Sequence, residues 1–204
     1  GQPAYLLPNN YRINFSYLQD DIFSAGGEAK YETYWGDNLE AIFMAGADYQ
    51  KTERTYELYK FRFVGGNSIP DDVEIARPDF LFSPDNIDPT RFELDEDTGI
   101  NDFYFGDLEI SSVFAEADVE LTSFVRATLG LRYEDATQAV TTTDRFGNSS
   151  ALSGYTEIAN DYLLPAVSVT WNFADDLQLR TAYSQTISRP QFRELSPSIF
   201  FDPD

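Results

Sequence analysis

Apolar and polar residues alternate with a period of two over long stretches of this chain. In "LPAVSVTWNFADDLQLRTAYSQTISRP", residues 164–190, Val167, Val169, Trp171 and Phe173 fall on one side and Ser168, Thr170 and Asn172 on the other. After Asp175 and Asp176 the alternation resumes, with Leu177, Leu179 and Tyr183 against Gln178, Arg180, Ser184 and Thr186. Successive strand side chains point to opposite faces, so the pattern predicts a β-hairpin. The same reading predicts hairpins over about 22–60, 108–143 and 159–188, turning at Gly-Asp-Asn, Thr-Ser and Ala-Asp-Asp. Longer polar segments, about 65–104, 144–158 and 189–204, read as loops. "YRINFSY", residues 11–17, alternates as well and predicts a seventh, shorter strand joined through "LQDD" to the next.

The faces differ in chemistry. Val113, Ala115, Ala117, Val119 and Leu121 share one side of a strand, with Ser112, Glu116, Asp118 and Glu120 on the other. Val125, Ala127, Leu129, Leu131 and Tyr133 likewise oppose Arg126, Thr128, Gly130, Arg132 and Glu134. Glu28, Lys30, Glu32, Asp48 and Arg180 add full charges to the polar side. Trp35, Phe124, Trp171 and Phe173 sit beside turns, where an aromatic membrane-interface girdle places its rings. Strand alternation is the same whether the apolar face meets lipid or a second sheet, so the pattern leaves both open.

Composition removes several functions. The 204 residues contain no Cys, hence no disulfide or thiolate, and no His, hence neither the commonest general base nor the commonest zinc ligand. A net charge of -21 argues against nucleic acid as a partner. A hydrophobic fraction of 42% with 16% aromatic is too rich for a disordered chain. No run of about 18 apolar residues predicts a membrane-crossing helix, which leaves a β-barrel untouched. The opening "GQPAYLLPNN" has neither the basic nor the apolar region of a signal peptide.

Two stretches carry a family resemblance. "LPAVSVTWNFADDLQLRTAYSQTISRPQFRELSP" resembles the late barrel strands of TonB-dependent outer-membrane receptors, and "VRATLGLRYE", residues 125–134, resembles a strand typical of the same family. The likeness is good over most of 105–196 and looser over 22–60. Its motif positions here are Gly130, Arg132, Tyr133 and Glu134, and Ser188, Arg189, Pro190, Phe192 and Glu194. The resemblance implies an all-β fold, an antiparallel meander of long hairpins that forms part of a transmembrane barrel. That family's barrels have about 22 strands around a plugged lumen, and this chain supplies about six or seven. With no candidate for the plug or the TonB box, the expectation is an internal barrel segment.

The resemblance further implies uptake of a scarce solute (a ferric siderophore, haem, a vitamin or an oligosaccharide) with energy from TonB. The implied partners are outer-membrane lipid and lipopolysaccharide, the TonB complex through a region N-terminal to this one, and a small-molecule solute. It implies a location in the outer membrane of a Gram-negative bacterium, and neither catalytic residues nor a required cofactor.

Within this frame the residues raise smaller expectations. The segment 71–118 is crowded with carboxylates, which predicts a neutral or cationic solute, or one bridged by a divalent metal. "LDEDTGIND", residues 94–102, offers Asp95, Asp97 and Asp102 as hard oxygen ligands for Ca²⁺, without EF-hand spacing. Tyr56, Tyr59, Phe103 and Tyr104 are loop candidates for stacking on a ligand. Pro190 should end a strand near Arg189, whose partner is expected among loop acids such as Glu194. Pro165 should occupy a rim or a bulge. The rival reading is a soluble β-sandwich, for example a carbohydrate-binding module. A barrel hydrolase of the Ser–His kind is disfavoured by the missing His, and a passive porin by the receptor motifs.

Overall fold

The computed structural model describes residues 12–36, 39–65, 77, 80, 83–88, 91–148 and 154–197. Seven strands form one sheet: β1 (Arg12–Trp35), β2 (Leu39–Gly65), β3 (Phe92–Glu96), β4 (Phe103–Thr122), β5 (Val125–Thr143), β6 (Tyr155–Ala174) and β7 (Leu177–Ser184). Their order is β1-β2-β4-β5-β6-β7, every pair antiparallel, with β3 also paired to β2. The result is an up-and-down meander curved into a half-barrel. Short turns lie at one end. Trp35 pairs with Leu39 across a turn whose Gly36 has φ +53°, a left-handed conformation that costs glycine nothing. Thr122 pairs with Val125, and Ala174 with Leu177, each beside a one-residue register shift.

Register aligns the apolar positions into rows. Ala29, Ala45, Ala115, Leu131 and Pro165 are successive partners across five strands, and Tyr31, Phe43, Ala117, Leu129 and Val167 form the adjacent row. This face carries no charge over residues 25–35, 39–49, 111–121, 125–133 and 163–171. Each stretch is close to the roughly 9–11 residues a tilted strand needs to cross a bilayer. Phe23 and Tyr49, ring centroids 6.3 Å apart, and Tyr133 close the band at the loop end; Trp35, Phe124, Trp171 and Phe173 close it at the turn end. Beyond Tyr49 and Tyr133 the same face turns charged, with Asp21, Lys51, Glu53, Asp107, Glu109, Asp135 and Asp161.

Among the described residues this is the only sheet, and its apolar face has no cover: Leu129 and Leu163 are each 58% exposed. A sandwich needs a second layer about 10 Å away on that face. The β-sandwich alternative therefore lacks its core.

Several expectations are corrected. "LQDD" is not a connection, because β1 runs unbroken from Arg12 to Trp35 with Leu18–Asp21 paired to residues 53–56 of β2. Polar residues beyond the apolar band still need partners for their backbone groups, and the ladder supplies them. The segment 65–104 is not all loop. β3 continues the β2 edge that β4 uses, from Gly65↔Phe92 to Phe61↔Glu96, and pairing resumes at Glu57↔Phe103. Residues 97–102 are thus an outgrowth opposite 58–60, tied by Asp97 N–H to the Lys60 carbonyl (2.8 Å) and Leu58 N–H to the Asp102 carbonyl (3.0 Å). Pro165 is at neither a rim nor a bulge. It stands inside β6, opposite Leu131 on one side and at the end of β7 pairing on the other.

Candidate functional site

The face opposite the apolar band is charged and internally paired. Arg126 grips Asp118 with two hydrogen bonds (2.8 and 2.9 Å) and reaches Glu40 at 3.3 Å and Glu120 at 3.5 Å. Nearer the loop end, Arg132 grips Asp48 (2.9 and 3.0 Å) and bonds Glu134 at 3.2 Å, while the Ser112 hydroxyl donates to Asp48 at 2.6 Å. Arg54 forms a two-pronged pair with Asp20 (2.6 Å each), Arg62 meets Asp95 at 2.7 Å, and Lys60 meets Asp102 at 2.5 Å. The planar guanidinium suits these doubled contacts. The Arg54 bonds hold the Asp20 carboxyl below its ordinary 3.8.

Across this face runs the chain that follows β7. Residues 185–196 leave the sheet and cross the inner side of β4 and β5. Arg189 binds Glu134, the Gln138 amide donates to the Pro190 carbonyl at 2.9 Å, and the Thr142 and Ser196 hydroxyls lie 3.4 Å apart. A single helical turn, Phe192–Leu195, is closed at its start by Gln191 N–H donating to the Glu194 carboxylate at 3.3 Å. Phe192 enters a socket of Gly106, Tyr104 and Val140, rimmed by Tyr56, Leu108 and Leu195, with the Arg54 guanidinium 5.2 Å above its ring. A Cβ on Gly106 would stand 2.6–3.0 Å from that ring, so the socket exists only because position 106 has no side chain. Burial here pushes the Tyr104 phenol above its ordinary value.

The motif residues divide between these features. Arg132 and Glu134 belong to the charged network, with Glu134 joining it to Arg189. Tyr133 points the other way, into the girdle, and Gly130 lies inward between Glu116 and Ala166. Pro190 and Phe192 fix the crossing segment, Glu194 caps its helical turn, and Ser188 is exposed on it. Arg189 thus pairs with a strand carboxylate, not with Glu194 or the acidic loop as the sequence suggested.

The four aromatic candidates are strand residues, not loop residues, because β2 extends to Gly65 and β4 begins at Phe103. They form two pairs on opposite faces. Tyr56 and Tyr104 stack inward with centroids 5.0 Å apart, Tyr104 only 1% exposed under Phe192; Tyr59 and Phe103 meet edge to face at 5.2 Å on the outer side. The calcium candidates do not converge. Asp95 faces Arg62, Asp97 faces Arg12 at 3.7 Å and Asp102 faces Lys60, and among the described residues no group of three acidic side chains is placed to hold a metal ion. A hollow of about 720 Å³ lies on the outer face around Ala29, Phe43, Ala45, Ala115 and Leu129. Its lining suits hydrocarbon rather than a polar solute.

Sequence reasoning missed the inward crossing. Its one local signal was an isolated glycine inside a strand, Gly106, which marks a close approach by another part of the chain.

A family model described as TonB dependent receptor-like, beta-barrel matches residues 2–203. A comparison with curated proteins found no match.

Proposed function

The chain belongs to the TonB-dependent receptor β-barrel family, and we propose that it contributes wall to an outer-membrane receptor that takes up a scarce solute with energy delivered through TonB. The family works in transport, not catalysis, in the outer membrane of Gram-negative bacteria. The observation that carries the reading is the division between faces: an uncharged, aromatic-bounded band on one side, ion-paired residues on the other. Lipid tolerates the first and not the second, and a watery lumen reverses the preference.

The solute of this reading is neutral or cationic, for example a sugar. Toward the loop end, Arg54, Lys60, Arg62, Arg132 and Arg189 are each held by a carboxylate, so an anionic solute would have to displace an existing partner to use any of these five. The surplus of acid in the whole sequence acts in the same direction at long range. The lipid partner contacts the band, and TonB acts from the periplasmic side.

The test has two parts. Cell fractionation with an antibody to residues 65–104 should place the protein with the detergent-resistant outer membrane; a soluble band would end the reading. Uptake by cells with and without the gene should then be compared for a neutral malto-oligosaccharide and for ferric citrate. Gene-dependent uptake of the anionic chelate alone would overturn the charge assignment.

A further inference from the structure

Strand β7 leaves the wall early. It pairs with β6 only as far as Ala166↔Ser184, while β6 continues on its other side to Tyr155, paired with Thr141. Residues 155–164 therefore have no strand on their β7 edge among the described residues. The turning point is Pro165. Gln185 N–H reaches the Pro165 carbonyl at 3.0 Å. In an antiparallel ladder the N–H and C=O of one residue face the same neighbour, so the return bond would come from the Pro165 nitrogen. Proline has no hydrogen there. The ladder loses a bond at the residue where the chain departs.

Two courses compete for residues 185–190. One climbs the vacant edge of β6. In that course the alternation set by Ser184, which lies on the inner face, would turn Ile187 outward toward lipid. The other crosses the inner face, where Arg189, Pro190 and Phe192 find Glu134, Gln138 and the Gly106 socket. The second is the one observed, and it leaves Tyr104, Val140 and Thr142 at most 1% exposed.

We propose that Pro165 and Phe192 are positioning residues of the transporter: Pro165 turns the chain out of the wall, Phe192 with Arg189 locks it across the lumen side, and residues 185–196 form a fixed strap that narrows the solute path. The narrowing rests on the transport reading above; the position of the strap does not.

These 204 residues contain no cysteine, and with any cysteine elsewhere in the receptor replaced by serine, one introduced at position 187 reports its own surroundings. Ile187→Cys is placed in the full receptor in its native outer membrane, and its reaction with a charged, membrane-impermeant maleimide is timed. The strap predicts ready labelling. Adding Pro165→Ala and Phe192→Ala restores the missing donor and empties the socket, so labelling should slow at least tenfold while entry of a large hydrophilic antibiotic rises several-fold. Heat-modifiable mobility on gels checks that the barrel is folded. If that variant does not fold, Gly106→Ala displaces the ring and loosens the strap without changing any residue in it, and antibiotic entry should still rise. An unreactive thiol in the receptor that carries Ile187→Cys alone overturns the strap, as does labelling that is unchanged when Pro165→Ala and Phe192→Ala are added and the barrel is folded. Changed labelling with unchanged antibiotic entry overturns the narrowing. Failure of the transport reading is seen separately, as a labelled band outside the outer-membrane fraction.

Discussion

Gly46 and Phe114 face each other on the inner wall with no room for a methyl group between them. A Cβ on Gly46 would stand 2.7 Å from two ring carbons of Phe114 and 2.7 Å from the Gly27 carbonyl oxygen. A ring rotates aside, but a carbonyl held in a ladder does not. Gly46→Ala should therefore lower the melting temperature of the purified receptor, and Phe114→Ala should not restore it. Gly106 makes the contrast, because the nearest atoms to its missing Cβ all belong to the Phe192 ring. Gly106→Ala should cost about 1–3 kcal/mol, and most of that should vanish in the Phe192→Ala background. A double-mutant cycle by calorimetry measures the coupling; additive losses at 106 and 192 would contradict the contact.

Ala117 and Thr137 share the outer face, but Ala117 lies inside the uncharged band and Thr137 beyond it, paired with Glu109. Arginine at the bilayer midplane of a barrel costs about 2–4 kcal/mol and near the interface about 0–1. Ala117→Arg should destabilise the receptor in vesicles by the larger amount and Thr137→Arg by the smaller. Urea titrations of folding into vesicles read both, and equal penalties would take lipid away from this face.

Asp20 and Arg54 give the loop-end half a definite acid response. The Asp20 carboxyl is held below 3.8 chiefly by its hydrogen bonds to Arg54. A lowered carboxylate contributes stability that is complete above its unfolded value and disappears as pH falls through the folded one. The clamp should thus hold throughout the neutral range and release only below pH 3.8. Asp20→Asn should shorten the protease lifetime of this half at neutral pH and abolish the part of its acid sensitivity that this pair supplies. Limited proteolysis on either side of the transition tests it.

Arg132 binds Asp48 through two nitrogens and Glu134 through a third. A lysine has the charge without the fork. Arg132→Lys should lose about 1 kcal/mol, despite keeping net charge, and should loosen Arg189 because both arginines share Glu134. Thermal melting should show the loss; full retention of stability would mean that charge alone holds this cluster.

The turns and the two faces were legible in the sequence because alternation with period two is local and lipid punishes every exception to it. The ends of the strands were not. Above the membrane the outer face admits Asp21, Lys51 and Glu53, so the alternation fades although the ladder continues. The outgrowth at 97–102 reads as a metal loop because its acids are close in sequence. In space each has gone to a different cation, on β1 or β2. Arg189 and Glu134 are 55 residues apart, and no local pattern joins them. Phe192 looked like a motif position, and only the empty side of Gly106 says where it goes.

The strands β1 and β2, 24 and 27 residues long, have more than twice the length a bilayer requires. From Phe23 and Tyr49 to Arg12 and Arg62 the paired hairpin climbs, at about 2.5 Å per residue once tilt is included, roughly 30 Å above the lipid. A floppy loop of that reach would have to be ordered each time it met a solute. A paired ribbon has already lost that freedom during folding, so in the proposed receptor a solute would meet a stiff rampart at full height rather than a tentacle that must first close.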